Sequence, residues 1–141
     1  MKWVFADTQW WVATTAAADP WARVAEKVER ELGPRHVVTT DEVLIEFAGF
    51  LSGSGPFVRG LVTEIIRRCL EWPDVSVVAQ SRESLLHGLL LYEARRDKGY
   101  SLVDCVSMLT AQRLGIVEVL TADRHFEQEG FVALLRDAAG G

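Results

Sequence analysis

The chain is short of cysteine, of positive charge and of long apolar runs, and each shortage removes a class of protein. Its two cysteines, Cys69 and Cys105, fall in helical patterns without metal-ligand spacing. That excludes a disulfide scaffold or a cysteine zinc site, and reads both as small core hydrophobes in a reducing cytoplasm. The longest apolar run, Leu85 to Tyr92, contains His87 and is too short to span a bilayer, so no membrane association is expected. Asp7 breaks the N-terminal apolar segment almost at once, so no signal peptide is expected and the protein is assigned to the cytoplasm. Lys and Arg total 15 against 20 Asp and Glu, a net charge of −5. This argues against a broad nucleic-acid-binding face, but not against a nucleic-acid enzyme whose local field comes from bound metal. The acidic balance also suits a basic protein partner.

What is present is a soluble globular composition, 49% hydrophobic and 25% charged. At 141 residues this fits one domain, 1–141, with a real core. Short apolar runs alternate with helical patterns. Trp3 to Ala6 reads as a strand ending at Asp7, followed by a helix from Gln9 to about Ala18. Asp19-Pro20 opens a second helix with Pro20 at its first position, running to Leu32 before Gly33-Pro34. His36 to Thr39 is the next strand, and Thr40 starts a helix with Val43, Leu44, Phe47 and Leu51 facing inward. A glycine-rich loop over 52–56 leads into a helix from Phe57 to Trp72. Val75 to Val78 is a third strand. Ser81 caps a helix to Lys98, with Leu85, Leu86, Leu89, Leu90 and Ala94 inward. Val117 to Leu120 is a fourth strand, and Phe131 to Leu134 a short edge strand before a frayed tail. Such alternation specifies an α/β fold, a parallel sheet with helices on both faces.

The central stretch is Gly99 to Leu109. Gly99 breaks a charged run, and Ser101 is suited to cap a helix reaching about Leu114, where Gly115 stops it. Asp104 lies in its first turn. Ser101-x-x-Asp104 matches a capping box, a sufficient local reason for an acid there. Three further acids stand at similar junctions. Asp7 and Asp123 follow two strands, and Glu46 lies on the helix after another. In open parallel sheets ligands bind outside the carboxyl ends of the strands. Four carboxylates gathered there would repel and call for a counter-charge. Oxygen-only ligands select Mg²⁺ or Mn²⁺ over zinc. Such a site supports metal-assisted phosphodiester hydrolysis, in which coordinated water becomes a better nucleophile and a second ion about 3.5–4 Å away stabilises the leaving oxygen.

Phe5-Ala6-Asp7-Thr8, Thr39-Thr40-Asp41-Glu42-Val43-Leu44-Ile45-Glu46, Tyr100-Ser101-Leu102-Val103-Asp104-Cys105-Val106-Ser107 and Thr121-Ala122-Asp123-Arg124-His125-Phe126 resemble, in order and spacing, the four signature blocks of PIN-domain ribonucleases. The likeness is greatest to the VapC-like toxins of type II toxin–antitoxin pairs, and it covers nearly the whole chain. It implies a three-layer α/β/α fold with a mostly parallel sheet of about five strands, a pocket binding Mg²⁺ or Mn²⁺, and endonucleolytic cleavage of RNA. The implied catalytic and metal residues are Asp7, Glu46, Asp104 and Asp123. Glu46 is carried over rather than Glu42, because it holds the family's position after Val43-Leu44; Glu42 is expected outside the pocket, as a capping acid after Thr39. Many relatives have Asn where this chain has Ala122. A cognate antitoxin and a homodimer are the implied partners.

Each of these residues has a local alternative: helix capping for Asp7, a solvated face for Glu46, a turn for Asp123. Thr8, Ser101 and Thr121 are candidates for holding water or phosphate, with capping and turn roles competing. His125, a loop histidine beside Phe126, stays outside the catalytic set. Arg95, Arg96 and Lys98 are candidates for RNA phosphates, or for the helix C-terminus they follow. Trp10, Trp11 and Trp21 read as core, with an antitoxin groove as the alternative. A receiver-type phosphoacceptor would need a strand-end lysine, and the lysines here are Lys2, Lys27 and Lys98. A haloacid-dehalogenase-like phosphatase would need Asp-x-Asp where the chain has Asp7-Thr8-Gln9. The remaining alternative is a PIN-fold protein-binding module with little or no nuclease activity.

Overall fold

The computed structural model describes residues 1–140. Among them the elements run β1 (Lys2–Ala6), α1 (Thr8–Thr15), α2 (Ala22–Leu32), β2 (Arg35–Thr40), α3 (Asp41–Phe50), α4 (Pro56–Glu71), β3 (Val75–Val78), α5 (Arg82–Ala94), α6 (Leu102–Arg113), β4 (Glu118–Leu120), α7 (Arg124–Gln128), β5 (Val132–Ala133) and α8 (Leu134–Gly140). The five described strands form one sheet in the order β3-β2-β1-β4-β5, every pair parallel. The register sets Phe5 opposite Val38 on one side and Val119 on the other. Val4, Phe5, Ala6, Val38, Val119 and Leu120 are fully buried, as expected of strands covered on both faces. The chain steps outward through β2 and β3 on one side of β1, then returns to add β4 and β5 on the other. That reversal leaves a crevice at the carboxyl ends of β1 and β4, where doubly wound sheets bind ligands.

Local sequence accounts for most boundaries. Thr40 caps α3 by accepting from Val43 N at 3.1 Å, and Pro56 opens α4. Ser81 and Ser101 cap α5 and α6, each within a reciprocal capping box. Helix α6, the element that carries Asp104, is buried almost all round: Cys105, Val106, Ser107, Met108, Thr110 and Ala111 are all enclosed. Cys69 and Cys105 are buried free thiols, and burial pushes both thiols up to about 11, so they behave as inert core residues.

Four expectations are corrected. Helix α2 begins at Ala22 rather than Pro20, because the Asp19 carboxylate accepts from Trp21 N at 2.9 Å and holds the preceding residues in a turn. Helix α1 stops at Thr15, short of Ala18. The leucines of α5 do not all face a core: Leu86, Leu89 and Leu90 are 51%, 49% and 66% exposed, and the helix ends at Ala94. Gly88 is its one buried residue, and α5 lies so close on α6 there that a Cβ would meet Val106 Cγ2 at 2.7 Å. The C-terminal tail is a helix, not frayed. Leu135 of α8 is fully buried, its N–H donates to Thr121 O at 3.1 Å, and Lys27 Nζ on α2 donates to Ala138 O at 3.4 Å. Among the described residues no helix is long and apolar enough to cross a membrane.

Candidate active site

Asp7 leaves the end of β1 directly into the crevice. It stands at the N-cap position of α1, yet its side chain caps nothing; Oδ2 instead accepts from Thr121 Oγ1 at 2.9 Å. The capping alternative therefore does not account for it. Asp7 is only 6% exposed. Burial above all, and then the neighbouring Asp104 carboxylate, push its carboxyl up from 3.8 to about 7, against the lowering effect of the Thr121 bond.

Asp104 is held in the capping box read from the sequence, with Ser101 N donating to Oδ2 at 3.0 Å and Asp104 N to Ser101 Oγ at 3.0 Å. Capping and pocket roles coexist here: Oδ2 joins the cap while Asp104 also lines the hollow. Its carboxyl is also raised, chiefly by burial, with Asp123 and Glu46 adding. Asp123 caps α7, Oδ1 accepting from His125 N at 2.9 Å. Glu46 projects from α3 and accepts from Thr8 Oγ1 at 2.5 Å. The hydroxyls of Thr8, Thr121 and Ser101 are thus spent on holding the acids. Thr121 does double duty, donating to Asp7 and accepting from Asp123 N at 3.1 Å.

All four acids line one hollow of about 510 Å³, together with Thr8, Gln9, Val12, Phe50, Ser101 and Asp19. Asp19 is engaged by Trp21 N. A second hollow of about 590 Å³ is lined by Trp10, Trp11, Trp72 and the residues that enter β2 and β3. It lies at the amino ends of the strands, the edge where a parallel sheet does not place its ligand. Glu42 lies outside the acidic hollow, near Ser84 Oγ at 3.4 Å, and the cap it was expected to join is made by Thr40 instead of Thr39.

Three contributors were not read from the sequence. Gln9 Oε1 accepts from Ala122 N at 2.7 Å and so ties α1 to the loop before Asp123. Arg136 on α8 donates to Ala122 O at 3.1 Å, engaging the next peptide of the same loop. His125, set aside as a loop residue, brings Nδ1 within 3.3 Å of Asp123 Oδ1 and 3.6 Å of Asp104 Oδ2. Asp104, Asp123 and His125 each offer a donor atom, all within 4.8 Å of one another, a spacing that suits a cation. The Asp-x-His sequence at the start of a helix was the available signal for His125. Arg95 is engaged elsewhere, in a two-point pair with Glu129 at 2.9 and 3.1 Å, and Trp10 and Trp11 are core residues.

A parallel sheet whose switch point gathers four acids from four separate segments defines a class of acidic-site α/β proteins, and comparison with known proteins names it. The PIN-domain family model matches residues 4–131, and the chain belongs to the PIN-domain family. Among solved structures it is similar to VapC20 of Mycobacterium tuberculosis, a sarcin-ricin loop cleaving toxin, at 25% identity and a TM-score of 0.79, over 92% of this chain and 96% of that one. No curated protein matches it by sequence. The family and this neighbour bear out the resemblance to VapC-like ribonucleases and the three-layer fold with five parallel strands.

Proposed function

We propose that the protein is a metal-dependent endoribonuclease, the toxin of a type II toxin–antitoxin pair, that hydrolyses RNA phosphodiester bonds at the hollow formed by Asp7, Glu46, Asp104 and Asp123. The observation that carries this reading is the convergence of those four carboxylates on one hollow at the sheet's switch point. The donor set fits a divalent cation. Asp7 and Asp104 are both raised by burial and by neighbouring acids, the electrostatic condition that a cation relieves.

Asp7, Asp104, Asp123 and Glu46 would hold the ion, which when bound supplies Lewis acidity toward phosphate and acidifies water. Thr121 fixes Asp7 relative to Asp123, and Thr8 fixes Glu46 on the opposite wall. Gln9 and Arg136 engage the two peptides flanking Ala122 and so tie down the loop carrying Asp123. The net charge of −5 leaves little general attraction for RNA, so recognition falls largely to the ion. A basic antitoxin segment and a second copy of the chain are the proposed partners, and the cytoplasm the proposed compartment.

The test is cleavage of structured RNA with Mg²⁺ or Mn²⁺ by wild type and Asp104→Asn. Wild type cuts and the variant loses at least about a hundredfold, the scale of removing a ligand that positions a reactive ion. The asparagine retains an oxygen for the Ser101 cap, so circular dichroism stays unchanged. A wild type inert with both metals on several RNAs would transfer the protein to the binding-module reading.

A further inference from the structure

We propose that His125, through Nδ1, is a nitrogen ligand of the cation beside Asp104 and Asp123, and that this nitrogen tilts the site toward first-row transition cations over Mg²⁺. The proposal rests on the reading of the acidic hollow as a cation site and adds to it a donor that the carboxylate set lacks.

The geometry points this way in three respects. First, Nδ1 is sealed from solvent and makes no hydrogen bond among the described residues, although carboxylate oxygens lie at 3.3 and 3.6 Å. A buried ring nitrogen at ion-pair distance from two acids, yet hydrogen-bonded to neither, calls for a reason. Second, those separations suit an ion between the donors. Cis ligands of an octahedral cation, each about 2.1 Å from it, stand roughly 3 Å apart. The three donor atoms also fall within 4.8 Å of one another.

Third, the ring is held from its other sides. Tyr100 packs against it with centroids 5.3 Å apart and planes tilted 58°, and Nε2 lies 3.7 Å from where a Cβ on Gly99 would stand. Tyr100 is itself fixed, its hydroxyl donating at 3.1 Å to the Glu129 carboxylate that Arg95 grips. The imidazole is therefore oriented before any ion arrives, Nδ1 toward the acids and Nε2 toward Gly99. Mg²⁺ takes oxygen and dehydrates reluctantly, whereas transition cations gain affinity from imidazole. Carboxylates joined by one imidazole discriminate between them where carboxylates alone would not.

The experiment uses Mn²⁺ as the probe, read by electron spin-echo spectroscopy on the intact protein, with wild type, His125→Gln and Asp104→Asn compared. Nitrogen-14 modulation from a directly bound imidazole is expected in wild type and absent in His125→Gln, whose side chain offers no ring nitrogen. His36, hydrogen-bonded to Ser76 at 2.7 Å, and the exposed His87 remain in the variant, so the difference reports His125 alone. Calorimetry should show His125→Gln losing about tenfold in Mn²⁺ affinity and under about threefold in Mg²⁺ affinity. Mn²⁺ bound by wild type without nitrogen coupling overturns the proposal and leaves the carboxylate site standing. No Mn²⁺ bound by wild type at all overturns both. The wild-type spectrum decides even if the glutamine variant folds poorly.

Discussion

Replacing Asp7 with asparagine should stabilise the metal-free protein at alkaline pH while reducing its stabilisation by metal. The folded-state carboxyl of Asp7 is raised from 3.8 to about 7. A raised carboxyl favours the neutral form, so its contribution to stability is fully present below pH 4 and is lost as pH rises through 7. At 1.36 kcal/mol per unit, a displacement of roughly 3 units costs the folded state about 4 kcal/mol once Asp7 is fully ionised. About half of that cost already applies at pH 5.5. Asparagine never ionises, and its amide oxygen can keep the 2.9 Å bond from Thr121. For a chain of this length about 4 kcal/mol corresponds to roughly 10 °C in Tm. Thermal unfolding in chelator from pH 5 to 8.5 is the assay. Asp7→Asn should melt about 10 °C above wild type at pH 8, the gap narrowing toward pH 5. Mg²⁺ or Mn²⁺ at pH 8 should then raise the wild type more than the variant, since the asparagine no longer adds a charge to the remaining ligands. A variant that melts level with or below wild type at pH 8 in chelator, or a gap indifferent to pH, refutes the reasoning.

Two further predictions concern the frame around the site. Leu135→Ala should cost about 2–5 kcal/mol in urea unfolding, the range for emptying a fully buried leucine site; a change under about 0.5 kcal/mol would make α8 a surface appendage. Gly88→Ala should destabilise by about 1–2 kcal/mol in wild type, because the new methyl meets Val106 Cγ2 at 2.7 Å. In a Val106→Ala background the same substitution should stabilise by about 0.5–1 kcal/mol, as removing a mid-helix glycine normally does. A cycle without that change of sign would show that α5 and α6 can slide apart at no cost.

Elements governed by neighbours in sequence were legible; those governed by neighbours in space were not. Ser81 and Ser101 announce their helices because a hydroxyl reaching N3 is a local transaction, and β3 falls on Val75–Val78 as read. Helix α8 carries only Leu134 and Leu135 as large apolar residues, and its order comes from Thr121, Ala122 and Lys27, all remote in sequence. The exposed leucines of α5 show the same limit: periodicity reports which residues share a face, not what covers it. Of the site, the four acids were reachable through strand-end placement and family likeness, whereas His125 was not. The ligand role proposed for it depends on Asp104 lying 3.6 Å away, a proximity set by how α6 and α7 pack.

Four acids do not gather in a hollow without local reasons to be there, and this chain gives each one such a reason. Asp104 completes a helix cap, Asp123 caps another helix, Asp7 accepts from a buried threonine, and Glu46 accepts from Thr8. Each hydrogen bond fixes a carboxylate and lowers the cost of its charge. None removes the cost of burying these charges or their mutual repulsion, and both survive in the raised carboxyls of Asp7 and Asp104. Because the caps and threonines fix these side chains in advance, little ordering remains to be done when a cation arrives. On the proposed function, stability given up by the metal-free fold would be recovered as affinity for the ion, as a preorganised but self-repelling site requires.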